Sequence, residues 1–253
     1  MKLKKKNNTL EDLISIVKKL RSPNGCEWDK KQTHESLIPY FLEELHEVIE
    51  AIQSQDYNSL KEELGDLFLH IIFQIDLAEE KNRFFLRDVL EGINHKLINR
   101  HPHIFYDKDD PRWKEGNWEE SKQKEKNRDS ILDGVPTSLP ALLRSRRIQE
   151  KAANVGFDWE KIDQVLSKVD EEIGELKEAI ADNKGITEEL GDVLFTIVNL
   201  SRHLDINPEQ ALNESTNKFI KRFKKIEKDL KDKKIDIKEL SLEELDVLWE
   251  KNK

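Results

Sequence analysis

The sequence comprises 253 residues with a formal net charge of −9 at pH 7; 38% of the residues are charged and 7% are aromatic. This length is sufficient for one large domain or for two smaller domains with separate cores. The negative charge argues against a protein that coats nucleic acid, because phosphate neutralisation needs a basic surface. No apolar run approaches the roughly 20 residues of a membrane span. The single cysteine, Cys26, fits a reducing compartment, so we expect a cytoplasmic protein without nucleic-acid or membrane partners.

Apolar residues recur at helical spacing along the chain, and no segment shows convincing period-two alternation, which predicts an all-α fold. We predict an N-terminal module at residues 9–105, a linker with one short helix at 106–139, and a C-terminal module at 140–253. The predicted helices of the two modules cover residues 9–20, 34–53, 59–79, 86–100, 161–181, 187 onward, 208–230 and 241–249.

Local signals predict where the helices of the C-terminal module begin. Thr187 is a candidate N-cap, because its hydroxyl can accept a hydrogen bond from a free backbone N–H of the first turn. Asn207 is a second candidate, with Pro208 at the first helical position and Gln210 placed to complete a capping box. These signals divide the second half of the sequence into separate helices.

The helix that begins near Thr187 is expected to direct Leu190, Leu194 and Ile197 toward a core. Gly191 lies inside this helix, where glycine costs about 1 kcal/mol relative to alanine. We therefore expect Gly191 to permit close backbone approach to the preceding helix. Gly65 predicts the same contact in the N-terminal module.

Two pairs of carboxylates lie on consecutive predicted helices, Glu172 with Glu175 and Glu189 with Asp192. Each pair is spaced i, i+3, so its members share a helix face, where like charges repel. A hard divalent cation such as Mg²⁺, which takes oxygen ligands, would relieve this repulsion. The alternative in such a highly charged chain is a solvated acidic face. Lys168 lies one turn before the first pair and supplies positive charge.

The second half of the sequence repeats the first, with the same features in the same order. The separation between corresponding features changes by only a few residues, as expected for two copies of one module with different loop lengths. The corresponding sets are Glu44 and Glu47 with Glu172 and Glu175, Glu63 and Asp66 with Glu189 and Asp192, Gly25 and Trp28 with Gly156 and Trp159, and Lys96 and Arg100 with Lys218 and Arg222.

Magnesium sites in proteins usually keep several waters and are completed by substrate phosphates. Lys168, Lys218 and Arg222 could bind such phosphates, so the pattern points to phosphoanhydride hydrolysis. An iron site is an alternative, because Glu43 and His46 form a Glu-x-x-His pair of the kind found in di-iron bundles. The iron interpretation needs a second Glu-x-x-His pair, which is missing because the other copy has glycine at the position of His46.

The acidic motif and its flanking segments resemble the MazG family of all-α nucleoside triphosphate pyrophosphohydrolases, in its tandem bacterial form. The resemblance extends from about residue 10 to the C-terminus. It is carried by residues 171–175 and 189–192, and by the flanking segments 24–29, 100–105, 153–159 and 218–223.

This resemblance implies hydrolysis between the α- and β-phosphates of nucleoside triphosphates, with broad base specificity and Mg²⁺, or Mn²⁺ in its place, as cofactor. It also implies a homodimer of helical hairpins packed as four-helix-type bundles, with the C-terminal module catalytic. The implied metal-binding and catalytic residues are Glu172, Glu175, Glu189 and Asp192, and the implied nucleotide contacts are Lys168, Glu171, Asn199, Lys218, Arg222 and Trp249.

The N-terminal copy departs from this pattern at two positions. Tyr40 replaces the counterpart of Lys168, and Phe73 replaces that of Asn199. We therefore expect this copy to bind metal without a defined role in nucleotide hydrolysis. A nucleotide-binding or metal-binding regulatory protein without turnover is the alternative for the whole chain. The second predicted metal set is Glu44, Glu47, Glu63 and Asp66.

Overall fold

The structure is a computed structural model that describes residues 8–111 and 129–252. All regular secondary structure in these two ranges is helical, which confirms the all-α prediction. The chain divides into two compact units between Lys122 and Gln123, inside the predicted linker. The described helices are α1 (Leu10–Arg21), α2 (Glu27–Lys31), α3 (Ile38–Ser54), α4 (Tyr57–Glu80), α5 (Leu86–Arg100), α6 (Pro102–Phe105), α7 (Ala141–Ala153), α8 (Ile162–Asp182), α9 (Ile186–His203), α10 (Pro208–Lys233) and α11 (Leu242–Lys251).

The first unit is built on a hairpin of α3 and α4, with α1 packed against α4. The hairpin turn is tight because Gln55 adopts a left-handed conformation with φ of 57°, and Asp56 then caps α4 by accepting hydrogen bonds from two backbone N–H groups. The core between α1 and α4 consists of Val17, Leu37, Ile72, Phe73, Ile75 and Leu77.

The second unit repeats this arrangement with α8 and α9 as the hairpin and α7 packed against α9. The turn of this hairpin contains two left-handed residues, Asn183 with φ of 52° and Gly185 with φ of 74°. Asparagine and glycine adopt this conformation at the least cost, so the sequence at this point favours a sharp reversal. Helix α10 packs on α7, and α11 packs on α10.

Several local predictions were wrong. Helix α9 begins after Gly185, not after Thr187, which lies inside its first turn. Asn207 does cap α10, but Gln210 donates its side-chain N–H to Glu214 and completes no capping box. The segment that forms α7 was not predicted as a helix.

The expected role of the glycines was also wrong. Apart from the neighbouring backbone of the same helix, no atom lies within 4 Å of where a Cβ would stand on Gly191 or Gly65, so within each unit neither glycine marks a close helix contact. The prediction that Leu190, Leu194 and Ile197 face a core is wrong within the second unit, where they are 42–50% exposed; the buried positions of α9 are Thr196, Val198 and Asn199. The hairpin therefore presents an apolar face to its surroundings.

Part of the predicted linker packs with the second unit. Lys151 on α7 donates a hydrogen bond of 2.9 Å to the carbonyl of Ile131. Residues 112–128 lie outside the described ranges, so the short helix expected in the linker stays a prediction there. Among the described helices, none is both long and apolar enough to cross a membrane.

Candidate active site

Helix α8 brings one lysine and two glutamates together on its surface. The Nζ of Lys168 lies 2.8 Å from Oε1 of Glu171 and 2.7 Å from Oε1 of Glu172. These contacts follow from the i, i+3 and i, i+4 spacing, which places the three side chains within one helical turn. The hydrogen bond to Glu171, followed by that to Glu172, raises the pKa of Lys168. The lysine is therefore held positive beside the carboxylates.

Three of the four predicted carboxylates form a cluster across the hairpin. Glu172 from α8 and Glu189 and Asp192 from α9 each offer a carboxylate oxygen, and these oxygens lie within 4.8 Å of one another. Glu172 is only 6% exposed, whereas Asp192 is exposed to solvent. The antiparallel hairpin produces this convergence by setting the faces of two helices side by side.

Glu175 lies outside this close cluster, although the charges of the cluster affect the pKa of its carboxyl group. Partial desolvation raises the pKa of Glu175, and the neighbouring charges of Glu172 and Glu189 raise it further against the opposing effect of Lys168. Its position on α8 one turn after Glu172 leaves it at the exposed edge of the cluster.

The donor set suits a hard divalent cation. The three converging groups of the second unit, Glu172, Glu189 and Asp192, supply only carboxylate oxygens, which are the preferred donors for Mg²⁺ and Mn²⁺. Softer metals select histidine or cysteine ligands, and neither residue type belongs to this cluster. The chemistry of the side chains therefore fits the cofactor that the sequence predicts.

A similar cluster lies in the first unit, formed by Glu44, Glu47 and Glu63. Asp66 does not belong to this close set, but its charge contributes, after burial, to raising the pKa of Glu44. His70 Nε2 lies 3.9 Å from Oε1 of Glu44, and burial lowers the pKa of this histidine. The first cluster therefore has an imidazole beside it whose burial disfavours the charged form.

The three predicted nucleotide contacts at the C-terminal end of the chain group together on α10 and α11. The guanidinium of Arg222 lies over the ring of Trp249 at 5.5 Å, and the ring of Phe219 lies 4.9 Å from that of Trp249. Lys218 is exposed and lines an open groove beside the start of α10. Within the described residues, no ion pair or hydrogen bond joins these side chains to the carboxylate cluster.

Asn199 lies on α9 two turns beyond Asp192 and is 5% exposed. It lines a cavity of about 400 Å³ between α7, α9 and the segment that precedes α8. Gln149, Thr196 and Trp159 line the same cavity. Of these residues, only Asn199 was predicted to contact the nucleotide, and Trp159 was identified only as part of the internal repeat and the flanking segment 153–159. Gln149 was missed because the helix that carries it was not predicted.

An ion pair closes one side of this cavity. Arg202 Nη1 donates to Oδ2 of Asp158 at 2.8 Å, and Nε2 of His203 lies 3.1 Å from the same carboxyl group. Burial is the largest single effect on the pKa of Asp158 and acts to raise it, but the hydrogen bonds and positive charges of Arg202 and His203 together outweigh burial, so the pKa lies below its ordinary value. This pairing fixes the loop before α8 against the end of α9.

Comparisons with known proteins agree with this arrangement. The MazG nucleotide pyrophosphohydrolase domain matches residues 32–105 and 160–227, which contain the two hairpins. The chain is 48% identical over 245 residues to the nucleoside triphosphate pyrophosphohydrolase/pyrophosphatase MazG of Thermotoga maritima, covering 96% of this chain and 95% of that protein. It is 40% identical over 256 residues to the nucleoside triphosphate pyrophosphohydrolase of Escherichia coli K12, covering 97% of each. The chain therefore belongs to the MazG family.

Proposed function

We propose that this enzyme hydrolyses nucleoside triphosphates to nucleoside monophosphates and pyrophosphate in a Mg²⁺-dependent reaction with broad base specificity. The observation that carries the proposal is the cluster of Glu172, Glu189 and Asp192 with Lys168 paired to its buried member. The names and full-length similarity of the relatives support the same reaction.

Glu172, Glu189 and Asp192 would hold the cation, with Glu175 at the edge of the site. A divalent cation bound there supplies a Lewis acid for a phosphoryl oxygen and lowers the pKa of a bound water. The low exposure of Glu172 favours binding, because a buried carboxylate surrounded by like charges gains more from an opposite charge than a solvated one does.

The basic side chains would bind the phosphates. Lys168 is already positioned by Glu171 and Glu172, so it can contact a phosphate oxygen with little loss of side-chain entropy. Lys218 and Arg222 lie one turn apart on α10, and Arg222 is steadied by the face of Trp249. These groups would orient the triphosphate and offset its negative charge.

We propose residues 140–253 as the catalytic module and residues 9–105 as a metal-binding twin. We also propose a homodimer, because both hairpins expose apolar faces larger than isolated surface residues would account for. The exposed side chains include Leu45, Ile49 and Ile52 on α3 and Leu190, Leu194 and Ile197 on α9. A cytoplasmic location fits the nucleotide substrate and the free, exposed thiol of Cys26.

The reaction can be tested with the full chain, Mg²⁺ and a panel of ribonucleoside and deoxyribonucleoside triphosphates. We expect stoichiometric monophosphate and pyrophosphate, detected by chromatography and a pyrophosphate assay. Release of orthophosphate without pyrophosphate would contradict the proposed bond cleavage. Nucleotide binding without turnover would instead support the regulatory alternative.

Two matched substitutions locate the activity. Glu172→Gln in the second unit should remove most turnover, whereas Glu44→Gln at the corresponding position of the first unit should leave the greater part of it. Both changes remove one negative charge from a carboxylate cluster, so they form a matched pair for the two units. Equal losses in the two variants would contradict the assignment of the catalytic module.

A further inference from the structure

A histidine continues the row of carboxylates on α4 in the first unit. Glu63, Asp66 and His70 follow one another at spacings of three and four residues, so they share one face of the helix. Glu44 on α3 meets this face across the hairpin, and Nε2 of His70 lies 3.9 Å from its Oε1. The carboxylate cluster of the first unit therefore has an imidazole nitrogen directed at one of its members.

The ring of His70 is buried without a hydrogen bond. The residue is 9% exposed, and its Nδ1 is buried with no hydrogen-bond partner within the described parts of the chain. The 3.9 Å between Nε2 and Glu44 is too long for a hydrogen bond. Phe41 packs edge to face on the ring with centroids 6.1 Å apart, which restricts its rotation. Because a buried polar group without a partner costs about 1–3 kcal/mol, the ring indicates a partner that the described residues do not supply.

The distances suit the ligands of one ion after a small movement. Two ligand atoms at about 2.1 Å from one ion lie about 3 Å apart when they occupy neighbouring octahedral positions. The distance of 3.9 Å from Nε2 to Oε1 would shorten by about 1 Å, which a change in the torsions of the Glu44 side chain provides. The carboxylate oxygens of Glu44, Glu47 and Glu63 already lie within 4.8 Å of one another. The imidazole can therefore join these three carboxylates around one cation.

The second unit has a threonine at the corresponding position. Thr196 lies four residues after Asp192, just as His70 lies four residues after Asp66. The cluster of the second unit therefore offers only carboxylate oxygens, which suit Mg²⁺ and Mn²⁺. An imidazole instead suits Zn²⁺, Fe²⁺, Ni²⁺ and Cu²⁺. The two clusters thus differ in the class of cation that their donor atoms favour.

We propose that the first unit binds a divalent transition-metal ion, represented by Zn²⁺, through Nε2 of His70 together with the carboxylates of Glu44, Glu47 and Glu63. The proposal rests on the metal-binding role proposed above for this unit and names the class of ion that it takes. The imidazole favours Zn²⁺ over Mg²⁺, because Mg²⁺ prefers oxygen ligands and retains several waters. One chain then carries two kinds of cation, and the ion of the first unit stabilises the hairpin of α3 and α4 without taking part in turnover.

Calorimetric titration of the full chain with Zn²⁺ and with Mg²⁺ measures the selectivity of this site. Every titrated protein carries Glu172→Gln, which weakens the second cluster so that the first accounts for the heat, and is freed of metal beforehand. His70→Gln removes the imidazole but keeps a polar side chain. His46→Gln is the matched control, because His46 is an exposed histidine on α3 of the same unit.

We expect His70→Gln to weaken Zn²⁺ binding at least about tenfold and Mg²⁺ binding less than about twofold, because only Zn²⁺ gains from the imidazole. His46→Gln should change neither affinity. Unchanged Zn²⁺ binding by His70→Gln would overturn the proposal. Equal weakening of both ions would also overturn it, because a general distortion of the hairpin does not distinguish Zn²⁺ from Mg²⁺.

Nitrogen-15 NMR of the unsubstituted protein supplies a test that needs no variant to fold. In excess Mg²⁺, one equivalent of Zn²⁺ should shift the ring nitrogens of one of the seven histidines to the positions of a metal-bound imidazole. This signal should be lost in His70→Gln and kept in His46→Gln. No change at any histidine, or a signal that persists in His70→Gln, would contradict the assignment.

Glu44→Gln separates this inference from the role on which it rests. If Glu44→Gln weakens both ions and His70→Gln weakens neither, the first unit remains a metal site and the transition-metal assignment is refuted. If Glu44→Gln changes neither affinity, metal binding by this unit is refuted altogether. The proposed reaction is judged separately by pyrophosphate release in Mg²⁺ from the protein without Glu172→Gln, which His70→Gln should leave unchanged.

Discussion

Asp192→Asn gives the most direct test of the carboxylate cluster, because it removes one charge while keeping the size of the side chain. The oxygen atoms of Asp192, Glu172 and Glu189 lie within 4.8 Å of one another. Two unit charges at this separation repel by about 0.9 kcal/mol in water and about 3.5 kcal/mol at an effective dielectric constant near 20. Asp192 is exposed, so the lower value applies to each of its two repulsions.

Lys168 offsets part of this repulsion, and we expect Asp192→Asn to increase the free energy of unfolding of the metal-free protein by about 1–2 kcal/mol. The melting temperature should rise by about 2–4 °C per kcal/mol. In Mg²⁺ the unsubstituted protein should instead be more stable than Asp192→Asn, because it gains stability from binding the ion and the variant has lost a charged ligand. The catalytic efficiency, kcat/KM, should fall at least about 100-fold.

Calorimetric melts in EDTA and in Mg²⁺, together with steady-state kinetics, measure both effects. Asp246→Asn, an exposed position on α11 far along the chain from the cluster, removes the same charge and serves as the control. If Asp192→Asn lowers the melting temperature in EDTA, the side chain does not experience net repulsion. If it retains full activity in Mg²⁺, the aspartate does not hold the catalytic ion.

Three further substitutions test other contacts. The pKa of Asp158 is held below its ordinary value, so Asp158→Asn should lower the free energy of unfolding by a constant amount above about pH 4 and by less as the pH falls further. Urea unfolding of both proteins measures this loss, and a loss that does not change with pH would contradict the ion pair with Arg202. Asp76→Asn should cost only about 1 kcal/mol of unfolding free energy, because burial already raises the pKa of Asp76 and Arg21 keeps its contact with Glu80 at 2.8 Å; in urea unfolding, a loss above about 3 kcal/mol would show that Arg21 depends on Asp76 as its main partner. Lys168→Met should raise KM for nucleoside triphosphates about tenfold, with a smaller effect at high salt, in steady-state assays; an unchanged KM would remove the lysine from the phosphate site.

The helices were predictable because their apolar residues recur with a period near 3.6, and this signal depends only on local sequence. The start of α9 was misplaced because Thr187 and Gly185 both offer plausible local signals, and the left-handed turn through Asn183 decides between them. Helix α7 was not predicted because five charged residues interrupt its apolar pattern.

The orientation of α9 illustrates the limit of such patterns. Leu190 and Leu194 fall on an apolar stripe, and a stripe indicates that a helix face is buried without indicating what covers it. In each unit the face of α9 or α4 that meets the adjacent helix also carries polar residues such as Thr196 and His70. Sequence periodicity therefore placed these leucines on one face of α9 correctly, but the burial that it predicted for them is wrong within the second unit.

The candidate site was predicted in part for the same reason. Lys168 contacts Glu171 and Glu172 because of their i, i+3 and i, i+4 spacing on one helix, and this spacing can be read directly from the sequence. The convergence of Glu172 with Glu189 required only that two consecutive helices form a hairpin. The meeting of Gln149 with Phe195 joins helices that are distant in the sequence, and no local pattern encodes it.

The two modules differ in the residues around their carboxylate clusters, and this difference bears on which module is catalytic. Each hairpin retains a carboxylate cluster, so the capacity to bind a cation does not separate them. The differences lie around the cluster. The first unit has Tyr40 packed on Trp28 and Phe73 buried in a core. At the corresponding positions the second unit has Lys168, paired with Glu171 and Glu172, and Asn199, which lines a cavity. Under the proposed function the first unit lacks the lysine that would bind phosphate, so we expect it to bind nucleoside triphosphates more weakly than the second unit does. The carboxylates of the first unit would then persist because a bound cation stabilises the hairpin that contains them.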